Sequence, residues 1–231
     1  MAGALLLLAM TGAGVLLGGP PVWLIDWLAA RYPGCLYRVP EQRRVVALTL
    51  DDGPDSITTP LILDELRRHN ARATFFLIAD RVESQEALVR RVVAEGHEIG
   101  NHFTQDRPSI RLSAAEFTDD LEQADRVLAS YGTVRWARPG SGWYSQGMIA
   151  ALAAKGYRCA LGSVYPYDTT IPSVEFATWH IRRNVRPGAV LVLHDGGEKG
   201  QRTVRVLQKV LPWLVQQGYG VVSLSALTVD C

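Results

Sequence analysis

Short apolar runs alternate with amphipathic segments along this chain, and no other feature of the sequence limits its fold as much. A strand that helices cover on both faces is apolar throughout, whereas a strand with one wet face alternates apolar and polar residues. Seven runs of the first kind are predicted to be strands: 45–50, 73–78, 97–101, 134–137, 157–161, 189–193 and 220–224. The segments 60–68, 84–94, 113–128, 144–154 and 202–217 are predicted to be helices. The sequence therefore predicts a parallel sheet in an α/β fold.

The number of predicted strands suits a barrel. Seven strand–helix units are one fewer than a TIM barrel has, so we expect a distorted seven-stranded (β/α) barrel resembling an incomplete TIM barrel. Periodicity does not show whether the sheet closes, and an open doubly wound sheet stays an alternative.

Charge and cysteine content narrow the class of protein. The chain has 231 residues, with 24 Lys and Arg against 23 Asp and Glu, so we expect no nucleic-acid partner. Its three cysteines show neither zinc-type spacing nor a disulfide framework. The sequence does not indicate an oligomeric state.

The first 24 residues differ from the rest because they are apolar and carry no charge. We interpret 1–24 as a hydrophobic anchor or signal-like segment, 25–44 as a linker and 45–231 as the catalytic domain. This predicts membrane association through 1–24 and a membrane-anchored or exported protein with an extracytoplasmic domain. Arg31, Arg38, Arg43 and Arg44 follow the segment and favour the opposite orientation, so the orientation stays open.

Polar residues cluster where the predicted strands end. They are Asp51 and Asp52 after the first strand, His102 and Asp106 after the third, Arg138 after the fourth, Asp168 after the fifth, and His194 with Asp195 after the sixth. The carboxyl ends of parallel barrel strands meet at one face, where the active sites of such barrels lie. We therefore expect these side chains to form one site.

The types of these residues indicate metal-assisted acid–base chemistry. His102 and Asp106 are four residues apart, which brings an imidazole and a carboxylate together in a helical turn and suits zinc or a similar divalent ion. His97 points to the opposite face of an extended strand and is expected to be structural. His194 is placed for general acid or base work, and the Arg138 guanidinium can hold a carboxylate ionised.

At these positions the chain resembles the polysaccharide deacetylases, the NodB-homology group or carbohydrate esterase family four. The resemblance rests on four ordered motifs: Thr-Leu-Asp-Asp-Gly-Pro at 49–54, Gly-His-Glu-Ile-Gly-Asn-His at 96–102, Arg-Pro at 138–139 and Leu-Val-Leu-His-Asp at 191–195. It spans 45–227 and implies removal of N-acetyl, or O-acetyl, groups from a polysaccharide or oligosaccharide.

The resemblance also implies a role for each site residue. Asp52 and His102 bind a divalent ion, Asp51 is the base that deprotonates its water, and Arg138 orients Asp51. His194 protonates the leaving amine. Asp168 polarises that histidine, the Ser141 amide shares the oxyanion, and Val192 lines the acetyl pocket. The ion is expected to be Zn²⁺, with Co²⁺ or Mn²⁺ as alternatives.

Three positions depart from the family pattern. The second histidine of the family is Asp106 here, and we expect that carboxylate to be the third ligand of an Asp-His-Asp site. Thr169 replaces a common aromatic residue, and Pro-Gly-Ser replaces Pro-Pro-Tyr after Arg138. The last two departures leave the substrate open beyond an N-acetylated glycan.

Two other functions compete with a deacetylase. The first is a catalytically impaired barrel that serves as a carbohydrate-binding or scaffold module, and Asp106 is its main support. The second is an aspartate-nucleophile phosphatase, which requires a second acid where this chain has Gly53. The residues favour the deacetylase, because candidates for base, acid and orienting arginine are all present.

Overall fold

The computed structural model describes residue 19 and residues 21–229. The predicted anchor, 1–24, lies outside the described residues except for 19 and 21–24. In the described part of the chain no helix is long and apolar enough to cross a membrane.

The described residues form one sheet of eight strands whose pairings are all parallel. The strands are β1 Cys35–Leu36, β2 Val45–Gly53, β3 Ala73–Leu77, β4 Glu98–Asn101, β5 Trp136–Ala137, β6 Arg158–Ala160, β7 Val190–His194 and β8 Gly220–Val222. Their order is β1-β6-β5-β4-β3-β2-β7, and β8 pairs with the start of β2. A parallel bridge from Val164 to Leu191 joins the segment after β6 to β7, so the sheet curls back on itself. The predicted distorted (β/α) barrel is confirmed.

Helices surround this sheet. They are α1 Val22–Arg31, α2 Thr58–Arg68, α3 Ala79–Val82, α4 Glu86–Ala94, α5 Ala114–Leu128, α6 Gln146–Ala154, α7 Val174–Asn184, α8 Gly197–Gln216 and α9 Leu224–Thr228. The capping box is formed, because the Ser113 hydroxyl accepts from the Glu116 amide and the Glu116 carboxylate accepts from the Ser113 amide. The main core lies between the sheet and the helices, with Leu48, Leu50 and Phe75 fully buried.

Part of the segment 25–44, which was predicted to be a linker, is regular structure. Helix α1 runs through it to Arg31 and buries Ile25 and Leu28, and β1 pairs with β6 through Cys35 and Cys159. A two-residue strand gives no periodic signal, and its partner lies far along the chain, so sequence reasoning could not find it.

Two helices also differ from their predictions. Helix α7 was not predicted; it begins after Ser173, whose hydroxyl accepts from the Phe176 amide, and it packs against α8. Helix α8 begins at Gly197, five residues before the predicted start. In α2, Ile62, Leu63 and Leu66 are buried and Leu61 is exposed.

Candidate active site

Two adjacent carboxylates face the cleft because β2 carries a bulge at its end. Asp51 pairs with Phe76 of β3 and Gly53 pairs with Leu77, so Asp52 is an extra residue in the ladder. Asp52 has a φ of 71°, a left-handed conformation that aspartate adopts more readily than most residues. A bulge re-aims a side chain that regular alternation would send to the other face. Asp51 and Asp52 therefore both lie on the cleft side, and both are buried.

Arg138 anchors Asp51. Its Nη1 donates to Asp51 Oδ1 at 2.5 Å and to Thr49 Oγ1 at 2.9 Å, and its Nε donates to the Ala160 carbonyl at 2.8 Å. The guanidinium stacks over the Phe76 ring, 4.2 Å from its centroid. Nη2 is buried and has no hydrogen-bond partner among the described residues, so one donor remains for a ligand. The predicted pairing of Arg138 with Asp51 is present in the structure.

His102 faces Asp52 with a defined tautomer. Its Nδ1 lies 2.7 Å from the Arg138 carbonyl, which can only accept, so Nδ1 carries a proton. Nε2 then faces Asp52 Oδ1 at 3.4 Å. Burial would lower the pKa of His102, but the negative charge of Asp51, with the hydrogen bond and charge of Asp52, raises it. A proton or a cation is therefore favoured between the two groups.

A divalent ion fits this pair. Two ligands of one tetrahedral ion, each about 2.0–2.1 Å from it, lie roughly 3.3–3.4 Å apart. The 3.4 Å separation of His102 Nε2 and Asp52 Oδ1 has this value. The hydrogen bond from Nδ1 to a carbonyl is the support that metal-binding histidines usually have.

Asp106, the expected third ligand, is further from the pair. Among residues 21–229, no three His, Cys, Asp or Glu side chains are grouped closely enough to hold a metal. Asp106 lines the same cleft and its side chain is 47% exposed. The Lys199 ammonium lies 2.5 Å from Asp52 Oδ2 and 3.8 Å from Asp106 Oδ2. A lysine thus lies between the two carboxylates.

The positively charged groups around Asp52 lower the pKa of its carboxyl. Burial by itself would raise the pKa of the Asp52 carboxyl. The hydrogen bond and charge of His102, the charge of His194 and the hydrogen bond from Lys199 outweigh burial and lower that pKa below its usual range. Asp52 is therefore a carboxylate at neutral pH, as a metal ligand must be.

His194 and Asp168 form a second pair in the cleft. His194 Nδ1 lies 3.0 Å from Asp168 Oδ2, which also accepts from the His194 amide at 2.9 Å. Burial would lower the pKa of His194, but the charge and hydrogen bond of Asp168, with the charges of Asp51 and Asp52, raise it to about 9. The imidazole therefore carries a proton at neutral pH. Strand pairing places this pair beside the first one, since Asp51 is in register with His194.

The remaining predicted residues line the same cleft, which has a volume of about 490 Å³. Ser141 lies in the turn Gly140–Gly142 with a φ of 63°, and Val192 lies on the cleft side of β7. Ile25 and Leu28 of α1 also line it, together with Tyr165 and other aromatic side chains. The cleft is thus lined both by charged side chains and by apolar ones.

The other predicted features lie outside the cleft. His97 accepts from the Ala73 amide at Nδ1, and burial, with the charge of Arg72, lowers its pKa to about 4, so it is a neutral structural histidine as expected. His180 is buried among aromatic rings. Asp195 accepts from Gly196 and from the hydroxyls of Thr58 and Thr59, and it ties β7 to α2.

Sequence reasoning missed two residues of this site. Thr49 is two residues before Asp51 and shares its face of β2, so a polar residue inside an apolar run was an available signal. Lys199 gave no such signal, because the predicted helix began after it.

Comparison with known proteins places this chain in a family. A model of the polysaccharide deacetylases matches residues 38–160. A peptidoglycan-N-acetylglucosamine deacetylase of Bacillus cereus is 36% identical over 199 residues, 83% of this chain and 91% of that protein. A chitooligosaccharide deacetylase of Bradyrhizobium sp. is 37% identical over 191 residues, 76% of this chain and 87% of that protein. These relatives confirm the predicted class, a carbohydrate deacetylase.

Solved structures agree with the sequence matches. The Bc1960 peptidoglycan N-acetylglucosamine deacetylase has a TM-score of 0.80 at 28% identity, covering 92% of this chain and 98% of that chain. A family 4 acetyl xylan esterase of Clostridium thermocellum, in complex with a cobalt ion, has a TM-score of 0.74 at 30% identity. The match covers 80% of this chain and 90% of that chain. BA3943 of Bacillus anthracis, described as a CE4 family pseudoenzyme, has a TM-score of 0.77 at 25% identity. The match covers 84% of this chain and 68% of that chain. The family model and the length shared with these proteins show that the chain belongs to the polysaccharide deacetylase family.

Proposed function

We propose that this protein is a metal-dependent hydrolase that removes N-acetyl groups from an N-acetylated glycan. One observation carries the proposal. The carboxylate anchored by Arg138 and the protonated imidazole anchored by Asp168 face one cleft, together with a histidine and a carboxylate spaced for one divalent ion.

Asp52, His102 and Asp106 would hold the ion, with zinc as the first expectation and cobalt or manganese as alternatives. When bound, such an ion activates a water molecule and stabilises negative charge on a carbonyl oxygen. Asp106 adds a second carboxylate in place of an imidazole, which favours harder ions such as manganese more than an Asp-His-His site does.

The side chains divide the proton transfers. Asp51 accepts the proton of the attacking water, and Arg138 holds its carboxylate towards the cleft. The protonated His194 donates to the leaving amine, which would otherwise be a poor leaving group. A carboxylate and an imidazolium thus do opposite tasks. The Ser141 amide would donate to the developing oxyanion, and Val192 would contact the acetyl methyl group.

The substrate class follows from the relatives and the cleft. The matched proteins are named for peptidoglycan N-acetylglucosamine and chitooligosaccharides, and one solved relative is an acetyl xylan esterase. An N-acetylhexosamine polymer is therefore the proposed substrate, with an O-acetyl ester as a second one. The apolar side chains of Ile25, Leu28 and Tyr165, which line the cleft, suit the faces of sugar rings.

A non-catalytic carbohydrate-binding barrel stays the second candidate. Two observations favour it: the solved relative that is called a pseudoenzyme, and the lysine that lies against Asp52. The ion pairs of Asp51 and His194 support the enzyme, because a binding module has no use for a buried base and acid.

Membrane association and an extracytoplasmic location are proposed on separate grounds. Residues 1–24 are apolar and uncharged, and Trp23 and Trp27 are exposed on α1, which begins near the end of this segment. Tryptophan is enriched at membrane interfaces. Fractionation of cells that express the full chain tests this, and recovery of all the protein in the soluble fraction contradicts it.

The activity is tested by acetate release. The purified full chain is incubated with N-acetylglucosamine oligomers, peptidoglycan and acetylated xylan, before and after chelation and with Zn²⁺, Co²⁺ or Mn²⁺ added back. We expect release that chelation abolishes and one of these ions restores. Glycan binding without acetate release under any of these conditions supports the second candidate.

A further inference from the structure

The ammonium of Lys199 lies in the position of a cation between two of the proposed metal ligands. It contacts Asp52 Oδ2 at 2.5 Å and lies 3.8 Å from Asp106 Oδ2. The other oxygen of Asp52 faces His102 Nε2 at 3.4 Å. The ammonium is therefore close to Asp52 and Asp106 directly, and to His102 through the carboxylate of Asp52.

We propose that Lys199 is a built-in competitor for the metal site: its ammonium pairs with Asp52 and Asp106 when no metal is bound, and it must withdraw for the ion to bind. The inference rests on the proposed function, because it requires a divalent ion at Asp52 and His102. Lys199 would therefore affect metal binding without being a ligand of the ion.

Charge balance argues against both cations occupying the site together. Asp52 and Asp106 supply two negative charges, and the charge of Asp51 is already paired with Arg138. A divalent ion neutralises both carboxylates, so an ammonium held against Asp52 and Asp106 would be repelled by the ion. The lysine and the ion are therefore alternatives for one pair of carboxylates.

The position of Lys199 allows it to withdraw. It lies in the first turn of α8, and its side chain is 32% exposed, so one side of it faces solvent. Lysine is a compact charge on a flexible four-carbon stem, and none of the hydrogen bonds described for this ammonium holds it to the backbone. Rotation of the stem towards water frees Asp52 and Asp106 without moving the helix.

The competition also explains the place of Asp106. The carboxylate of Asp106 is half-exposed and faces the ammonium of Lys199, so its charge is balanced without contact with His102. Once the ammonium leaves, the nearest cation for Asp106 is the bound ion. Lys199 thus keeps the third ligand apart in the metal-free protein.

The test is the affinity of the full chain for Zn²⁺, measured by titration calorimetry after chelation, for the parent and for Lys199→Met, Lys199→Gln and Lys199→Arg. Methionine and glutamine remove the charge, and arginine keeps it. We expect the first two to bind Zn²⁺ about tenfold more tightly or better, which is about 1.4 kcal/mol, and arginine to stay near the parent. Lys209→Met is the matched control, because Lys209 lies on the same helix and pairs only with the exposed Glu175 among its described salt bridges.

A second readout separates competition from a general change in folding. Without metal, Lys199→Met should have a lower melting temperature than the parent, since two carboxylates lose their counter-ion. With saturating Zn²⁺ the melting temperatures should converge, so the variant gains more from the ion.

The possible outcomes are distinct. Equal affinity in all variants overturns the inference and leaves the proposed function intact. Weaker binding in Lys199→Met and Lys199→Gln also overturns it, because the lysine would then support the ion. If neither the parent nor any variant binds Zn²⁺, Co²⁺ or Mn²⁺, the metal assignment of the proposed function fails and the competition fails with it.

Discussion

The pair of His194 and Asp168 gives a prediction whose size follows from the structure. Asp168→Asn keeps the shape of the side chain and one acceptor for the His194 amide but removes the charge beside the imidazole. In the parent, burial would lower the pKa of His194, and Asp168, the strongest opposing influence, raises it from 6.5 to about 9. Since one pKa unit corresponds to 1.36 kcal/mol, the raised pKa represents about 3 kcal/mol.

The sign of the pH dependence follows from linkage. A folded-state pKa above the unfolded value means that the folded protein binds the proton more tightly. This stabilisation is complete below pH 6.5 and is lost as the pH rises through about 9. We expect the metal-free parent to lose about 3 kcal/mol of unfolding free energy between pH 6 and pH 10 from this pair. Asp168→Asn should lose less than about 1 kcal/mol from it, because burial then dominates the pKa of His194.

Urea unfolding at five pH values between 6 and 10, in the presence of chelator, measures the difference. Other groups that titrate in this range are common to both proteins and cancel in the comparison. Glu122→Gln is the control, because it removes an exposed carboxylate paired with Lys155 and should leave the slope unchanged. A slope in Asp168→Asn equal to that of the parent refutes the reasoning.

Four further changes test individual residues. Asp51→Asn should abolish acetate release and leave the Zn²⁺ stoichiometry intact; stoichiometric loss of metal would reverse the roles of Asp51 and Asp52. His194→Ala should slow amide cleavage at least tenfold more than cleavage of an activated phenyl acetate, whose leaving group needs no proton; an equal loss on both substrates would indicate a structural role. Asp106→Ala should weaken Zn²⁺ binding and Asp106→His should largely preserve it, whereas parental affinity in the alanine variant would remove Asp106 from the ligands. Gly53→Ala should cost about 1–3 kcal/mol in urea unfolding, because its Cβ would lie 2.9 Å from Asp195 Oδ2; unchanged stability would contradict that contact.

The sequence was sufficient to predict which residues meet at the rim of the barrel. Parallel strands end at one face, so polar residues that each follow an apolar run must lie together. This is why Asp51, His102, Arg138 and His194 lie in one cleft, although they come from four different strand ends. Residues that are far apart in the sequence lie close together here because each follows a parallel strand of the same sheet.

Orientation within the site was not predictable in the same way. The bulge at Asp52 turns a second carboxylate into the cleft, and regular alternation would have sent it to the other face. The ammonium of Lys199 reaches Asp52 across 147 positions of sequence, through the start of a helix that periodicity placed too late. Both features depend on tertiary contacts that propensity does not encode.

The same limit explains the elements that were missed. Helix α7 combines aromatic and β-branched residues of modest helix propensity, and its buried Ala177 and Ile181 owe their environment to packing on α8. The segment 25–44 has no long periodic run, yet α1 adds Ile25 and Leu28 to the lining of the cleft. The site is therefore formed in part by residues that precede the region matched by the family model.

We propose that Asp52 and His102, joined by Asp106, hold the ion that Lys199 replaces in its absence. A crystal structure of the protein soaked in Zn²⁺, with anomalous diffraction collected at the zinc edge, tests it most directly. We predict one strong anomalous peak, about 2.0–2.2 Å from Asp52, His102 and Asp106, with the Lys199 ammonium turned out of the pair of carboxylates. No peak at Asp52 and His102, or a peak there with Lys199 still against Asp52, would contradict the account.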